Sequence, residues 1–133
     1  MWKEMFLRFF KRKNTKAPRN GKWKEFNKQA ILVSEGYYEN DIKHGNWKQY
    51  YETGELLIEE NYRYGVLHGR FASYHTNGQV LSEGEYKHGK REGFFNVFDD
   101  RGKQTRRMLF VNNVLLEEGD KKKVDLQGVK VAV

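Results

Sequence analysis

Between residues 21 and 116 the apolar positions come in short runs, and the runs repeat. Glycines stand at 21, 45, 69 and 93, always 24 residues apart, and no insertion or deletion disturbs that frame. Its third position holds Trp23, Trp47, Phe71 and Phe95, and its sixth Phe26, Tyr50, Tyr74 and Phe98. Its tenth holds Ala30, Gly54, Gly78 and Gly102, and its eighteenth Tyr38, Tyr62, Tyr86 and Phe110. A fixed period in the range of ~20–50 residues marks a repeat architecture.

Each unit is too short for a strand–helix–strand crossover. Its Trp, Tyr, Phe, Val, Leu and Ile runs read as strands. The dipeptides Thr53-Gly54, Asn77-Gly78 and Arg101-Gly102 break the unit in its middle, and Tyr64-Gly65 and His88-Gly89 break it near its end. Asn-Gly favours a tight hairpin because both residues accept positive φ. The pattern therefore predicts an all-β repeat protein: an antiparallel meander of about eight strands, made of four 24-residue hairpins at 21–44, 45–68, 69–92 and 93–116. Asn40-Asp41 and Asn112-Asn113 replace the Gly-containing turn in the end units, and both residue types tolerate the left-handed region. In the second strand, Leu56, Ile58 and Tyr62 are expected to share one face. In the first strand, positions three and six have opposite parity, which calls for a bulge or for burial on both faces.

The pattern G-x-[WF]-x-x-[YF]-x-x-x-G…Y-x-x-G resembles the MORN repeat, and most of all the bacterial variant whose first half reads W-x-x-Y-x-x-x-G. The resemblance covers about residues 21–116. It implies an elongated twisted sheet of successive hairpins that serves as a scaffold, a membrane-associated module or a protein-binding surface. Bacterial proteins of the variant type are often described as antitoxin or immunity components of toxin–antitoxin pairs, and that description implies a protein partner.

The ends of the chain follow different rules. Residues 1–16 are expected to carry a short amphipathic helix. Trp2, Met5, Phe6, Phe9 and Phe10 have the spacing of one apolar stripe, with Arg8, Lys11 and Arg12 away from it. Residues 17–20 are expected to form a linker, since Pro18 disfavours a continuing helix. The helix has three possible seats: the sheet itself, a partner groove, or an anionic membrane surface met through residues 2–13. Residues 117–133 form a basic tail, and Val129–Val133 alternates like an edge strand that would cover the open meander or pair with a partner.

Charge sharpens this division. The net charge of +7 sits on the tails: residues 1–20 carry +6, residues 121–133 carry +3, and residues 21–120 carry −2. A near-neutral body whose aromatics recur at core positions does not call for nucleic acid. There is no cysteine, which excludes disulfides and thiolate chemistry. No apolar run approaches the ~20 residues of a membrane-spanning helix. The expected location is the cytoplasm, with peripheral membrane attachment as the alternative.

Candidate chemistry is sparse. His44 and His68 occupy equivalent positions of adjacent units, so two strand spacings of ~4.8 Å keep them too far apart to share a metal. Glu35, Glu59 and Glu83 form a row that basic cross-strand neighbours can balance. Asp99-Asp100 lies in a turn, and Gly84–Gly93 imitates a phosphate loop without the Walker pattern. No catalytic residue, cofactor or metal is therefore expected. The expected function is a non-enzymatic scaffold that binds another protein, with Trp47, Tyr50, Tyr51, Phe71 and Tyr74 as candidate anchors. The alternative is a membrane-surface adaptor anchored by the N-terminal helix.

Overall fold

The computed structural model describes residues 16–119. The helix expected over residues 1–16 and the Val129–Val133 segment fall outside the described residues, save for Lys16, which is not helical. Ten strands form one antiparallel sheet: β1 (Gly21–Phe26), β2 (Leu32–Glu39), β3 (Ile42–Tyr50), β4 (Leu56–Arg63), β5 (Val66–Leu67), β6 (Gly69–Tyr74), β7 (Val80–Lys87), β8 (Lys90–Phe98), β9 (Gln104–Val111) and β10 (Val114–Gly119). Chain neighbours are sheet neighbours throughout, with β5 and β6 both beside β4.

The count exceeds the expected eight for two reasons. His68 interrupts one long strand and divides it into β5 and β6. After the last turn the chain also runs back along β9 as β10, so Glu117, Glu118 and Gly119 belong to the sheet rather than to the tail. First strands also begin earlier than the glycine frame suggests, at Ile42, Val66 and Lys90, directly after each inter-unit turn.

Backbone conformation recurs with the sequence. Both central residues have positive φ in Asn40-Asp41, Tyr64-Gly65, His88-Gly89 and Asn112-Asn113. That is the two-residue hairpin turn whose twist suits the flanking strands. Asparagine and aspartate keep it in the end units, as their tolerance of that region predicts. Every mid-unit turn closes alike, with the N–H of Asn27, Tyr51, His75 and Asp99 donating to the C=O of Ile31, Glu55, Gln79 and Lys103. Asp99 also accepts the N–H groups of Arg101 and Lys103, which fixes it as a turn residue.

Burial on both faces answers the parity conflict, since Trp47 joins the aromatic column while the Tyr50 hydroxyl bonds Glu35 on the opposite face, and each second strand also carries a bulge. In each hairpin the register shifts after position five, so Glu25 pairs with Ser34 but Phe26 with Leu32; the same step occurs at Gln49/Tyr50, Ser73/Tyr74 and Val97/Phe98. The even alternation expected from Leu56 to Ile58 is therefore broken, because Leu57 is skipped between them.

One face of the sheet carries the aromatic column. Tyr38 meets Trp23 and Trp47 edge-on at 6.0 and 4.8 Å, and Phe95 meets Tyr86 and Phe110 at 5.6 and 5.5 Å. Tyr38, Trp47, Phe95 and Phe110 are the buried large side chains. With a single layer, burial comes from neighbours along the same face, and edge-to-face rings add to it. The opposite face carries a rung that pairs Lys24, Glu35, Lys48, Glu59, Ala72, Glu83, Asn96 and Arg107 in turn. Its first half alternates charge, as expected for the glutamate row.

Candidate functional site

The five expected anchors are engaged inside the sheet. Trp47 is 1% exposed, so it is closed to a partner; its ring lies on Gly36 and its Nε1 donates to the Tyr37 carbonyl at 3.0 Å. Phe71 is half-buried against Tyr86 and Phe95, at 5.8 and 6.3 Å. Tyr51 OH donates to the Tyr74 carbonyl at 2.7 Å, and Tyr74 OH reaches Glu59 at 3.4 Å. Tyr50 OH donates to Glu35 Oε1 at 2.5 Å. Burial and this carboxylate push the Tyr50 phenol up to about 12, while the same hydrogen bond holds Glu35 below the usual carboxylate value. Of the five, Trp47 is buried and Tyr50, Tyr51, Phe71 and Tyr74 are half-buried.

Exposed apolar side chains gather instead along the edge formed by the inter-unit turns. Tyr64 is 70% exposed, Ile42 46% and Val66 45%. This edge is built by each turn folding back over the preceding unit. The N–H groups of Asp41, Gly65, Gly89 and Asn113 donate to the carbonyls of Arg19, Lys43, Leu67 and Arg91. The Ile42 and Val66 side chains lie under the next turn, so that a Cβ on Gly65 would meet Ile42 at 2.9 Å and one on Gly89 would meet Val66 at 3.1 Å.

The histidine row has a local explanation. Asn20 Oδ1 accepts the Asn40 N–H at 2.8 Å, His68 Nδ1 accepts the His88 N–H at 3.3 Å, and Glu92 Oε2 accepts the Asn112 N–H at 2.8 Å. Residues 20, 44, 68 and 92 thus occupy one position, which needs a side-chain acceptor to satisfy a turn N–H. His44 Nδ1 has no hydrogen-bond partner among the described residues and lies 4.0 Å from a Glu39 oxygen. His88 is brought against His68, with ring centroids 5.1 Å apart. No group of three His, Asp or Glu side chains able to hold a metal occurs among the described residues.

The position one residue earlier stiffens the same edge with cations. Arg19 sits 3.8 Å over the Tyr38 ring, Lys43 lies 4.3 and 5.1 Å from the Trp47 and Tyr62 rings, and Arg91 sits 4.0 Å over Phe110. Arg19 also pairs with Asp41 at 2.8 Å, so the first turn is tied to the expected linker. None of this was drawn from the sequence. A frame opened at the glycines cut each seam in two and left Arg19 and Asn20 outside it, although residues 19, 43 and 91 are all basic.

Two hollows lie along the edge, and they are the same hollow one unit apart. The first, of about 170 Å³, is lined by Glu39, Asn40, Ile42, His44 and Tyr64. The second, of about 490 Å³, is lined by Arg63, Tyr64, Val66, His68 and His88. Each residue of the second stands 24 positions after its counterpart in the first, and Tyr64 belongs to both. The result is a groove with apolar floor residues, an aromatic ridge and charged lips.

No curated protein matches the chain. Residues 43–64 and 67–88 match the family model described as MORN repeat variant. The two matched segments start 24 residues apart, each just after an inter-unit turn, so the central hairpins that build the groove are similar to MORN repeats.

Proposed function

We propose that this protein is a non-enzymatic scaffold of four MORN-type hairpins, acting in the cytoplasm and docking another protein along its inter-unit turn edge. The observation that carries the reading is the exposed row Ile42, Tyr64 and Val66 in a groove whose parts recur with the repeat. Repeats of this kind generally serve protein or membrane interaction. Rigid aromatic anchors beside polar rims are what protein interfaces use. An antitoxin or immunity component is one case of this reading, in which the docked protein is a toxin. The membrane-surface adaptor remains the second reading, resting on the apolar stripe Trp2, Met5, Phe6, Phe9 and Phe10.

The test is site-specific photo-crosslinking in cells that make the protein. A photoreactive residue in place of Tyr64 should trap one discrete protein, and the same group in place of Thr53, on the opposite turn edge, should not. Equal trapping at both positions, or none at Tyr64, would refute the docking edge. Flotation with anionic liposomes that is lost when residues 1–16 are removed would instead support the adaptor.

A further inference from the structure

The two hollows share a shape and differ in charge. The first has Glu39 at its lip; the second has Arg63 there, and His88 where the first has Tyr64. No carboxylate lines the second hollow. Arg63 is exposed and forms no ion pair among the described residues. In the turn whose His88 lines the hollow, Lys87 and Lys90 flank His88-Gly89 in sequence. Positive charge is thus concentrated at one hollow of an otherwise slightly acidic body, and Arg63 has no ion-pair partner among the described residues.

We propose that the Arg63 hollow takes a carboxylate side chain of an extended acidic segment in a protein partner, while an apolar side chain of that segment occupies the Glu39 hollow against Ile42 and Tyr64. This deepens the docking reading and rests on it. A guanidinium presents a planar fork that matches a carboxylate with two parallel hydrogen bonds, and imidazole N–H groups add donors. Spacing supplies the register. Equivalent points of adjacent units lie two strands apart, roughly 10 Å at ~4.8 Å per strand. A chain in the extended polyproline II conformation advances ~3.1 Å per residue and returns a side chain to the same face every third residue, so three residues separate the two occupied side chains. The apolar row beside the charge favours a peptide over a headgroup, because a lipid headgroup would leave Ile42 and Val66 uncovered.

The probe is an octapeptide in a serine background with leucine third and glutamate sixth, and a control with lysine in place of glutamate. Backbone amide shifts of the full chain report binding. The glutamate peptide should move the amides of Tyr64, Val66, His68 and His88, and Arg63→Glu should weaken it by about tenfold or more while other amides stay in place. Equal binding of the lysine peptide, shifts confined to other regions, or indifference to Arg63→Glu would overturn the proposal. So would perturbation of these amides by phosphatidylserine-containing vesicles and not by the peptide. If the peptide fails while crosslinking at Tyr64 still traps a protein, the acidic chemistry is wrong and the docking edge stands; if both fail, both readings fall.

Discussion

Two kinds of seam join the hairpins, and a single side chain separates them. At the β2/β3 and β7/β8 seams, position sixteen of the frame is Gly36 or Gly84, and the aromatic of the following unit lies directly on it. A Cβ on Gly36 would stand 2.2 Å from Trp47 Cδ2, and one on Gly84 would stand 2.6 Å from Phe95 Cδ1. At the β4/β6 seam that position is Glu60, a half-buried carboxylate that accepts the Tyr62 hydroxyl. The strand breaks at His68, so β4 pairs with β6 at Ile58–Ser73 and Glu59–Ala72 and with β5 at Tyr62–Leu67 and Arg63–Val66, and among the described residues no aromatic contact crosses this seam. Rings meet across the other seams at 4.8 Å (Tyr38–Trp47) and 5.6 Å (Tyr86–Phe95). Neither glycine has positive φ, so both are required for space and not for backbone conformation. The larger hollow, about 490 Å³ against 170 Å³, opens beside the interrupted seam. A repeat that changes its packing at one seam leaves a larger hollow there.

The largest effects should come from the aromatics themselves. Trp47→Ala is expected to cost about 3–5 kcal/mol in urea unfolding, the range for a buried large ring. Phe71→Ala, half-buried at the weaker seam, should cost about half as much. Equal losses would break the distinction.

Next come the glycines. Gly36→Ala and Gly84→Ala should each cost about 1–3 kcal/mol by overpacking. Glu60→Ala should stay below about 1 kcal/mol, since it removes only the acceptor of the Tyr62 hydroxyl, 2.9 Å away. A space-free glycine sharpens the contrast. Ala30 holds φ 61° at a turn position where its three counterparts are glycine, so Ala30→Gly should gain up to about 1 kcal/mol in the same measurement.

Much of this was legible in the chain. The frame, the hairpins and the turns followed from residues at fixed intervals, because strand alternation and positive φ act locally. The parity of Trp47 and Tyr50 demanded a bulge or two-sided burial, and both occur. What the pattern could not show was how far the aromatic row is closed; Trp47 is buried because Gly36 leaves room for its ring, whereas Tyr64 stands alone in a turn at a position held elsewhere by Asn40, His88 and Asn112. That signal was present as a glycine inside a strand run, recurring at 84 and absent at 60. The groove escaped notice because it is made by residues 20 or 22 apart meeting across a seam, as His68 and His88 or Ile42 and Tyr64 do, and the 24-residue frame does not align such pairs.

The smallest effect concerns pH. Burial, then the Glu60 carboxylate, pushes the Tyr62 phenol up to about 12 from 10.0. A raised value means the protonated form is favoured in the fold, so this contribution is fully present below pH 10 and is lost as pH rises toward about 12. Glu60→Gln should lower the Tyr62 value, read from tyrosinate absorbance. An unchanged titration would leave burial as the whole cause and remove Glu60 from the seam's electrostatics.

Amide hydrogen exchange across the three seams tests the contrast most directly. Repeat sheets fray from their ends, so the middle of the chain is ordinarily the best protected. Here the amides of His68 to Ala72 are expected to exchange faster than those of Lys43 to Lys48 and of Arg91 to Asn96, a dip in protection at the centre. Protection that peaks at the β4/β6 seam, or is level across all three, would contradict the division into two packed halves.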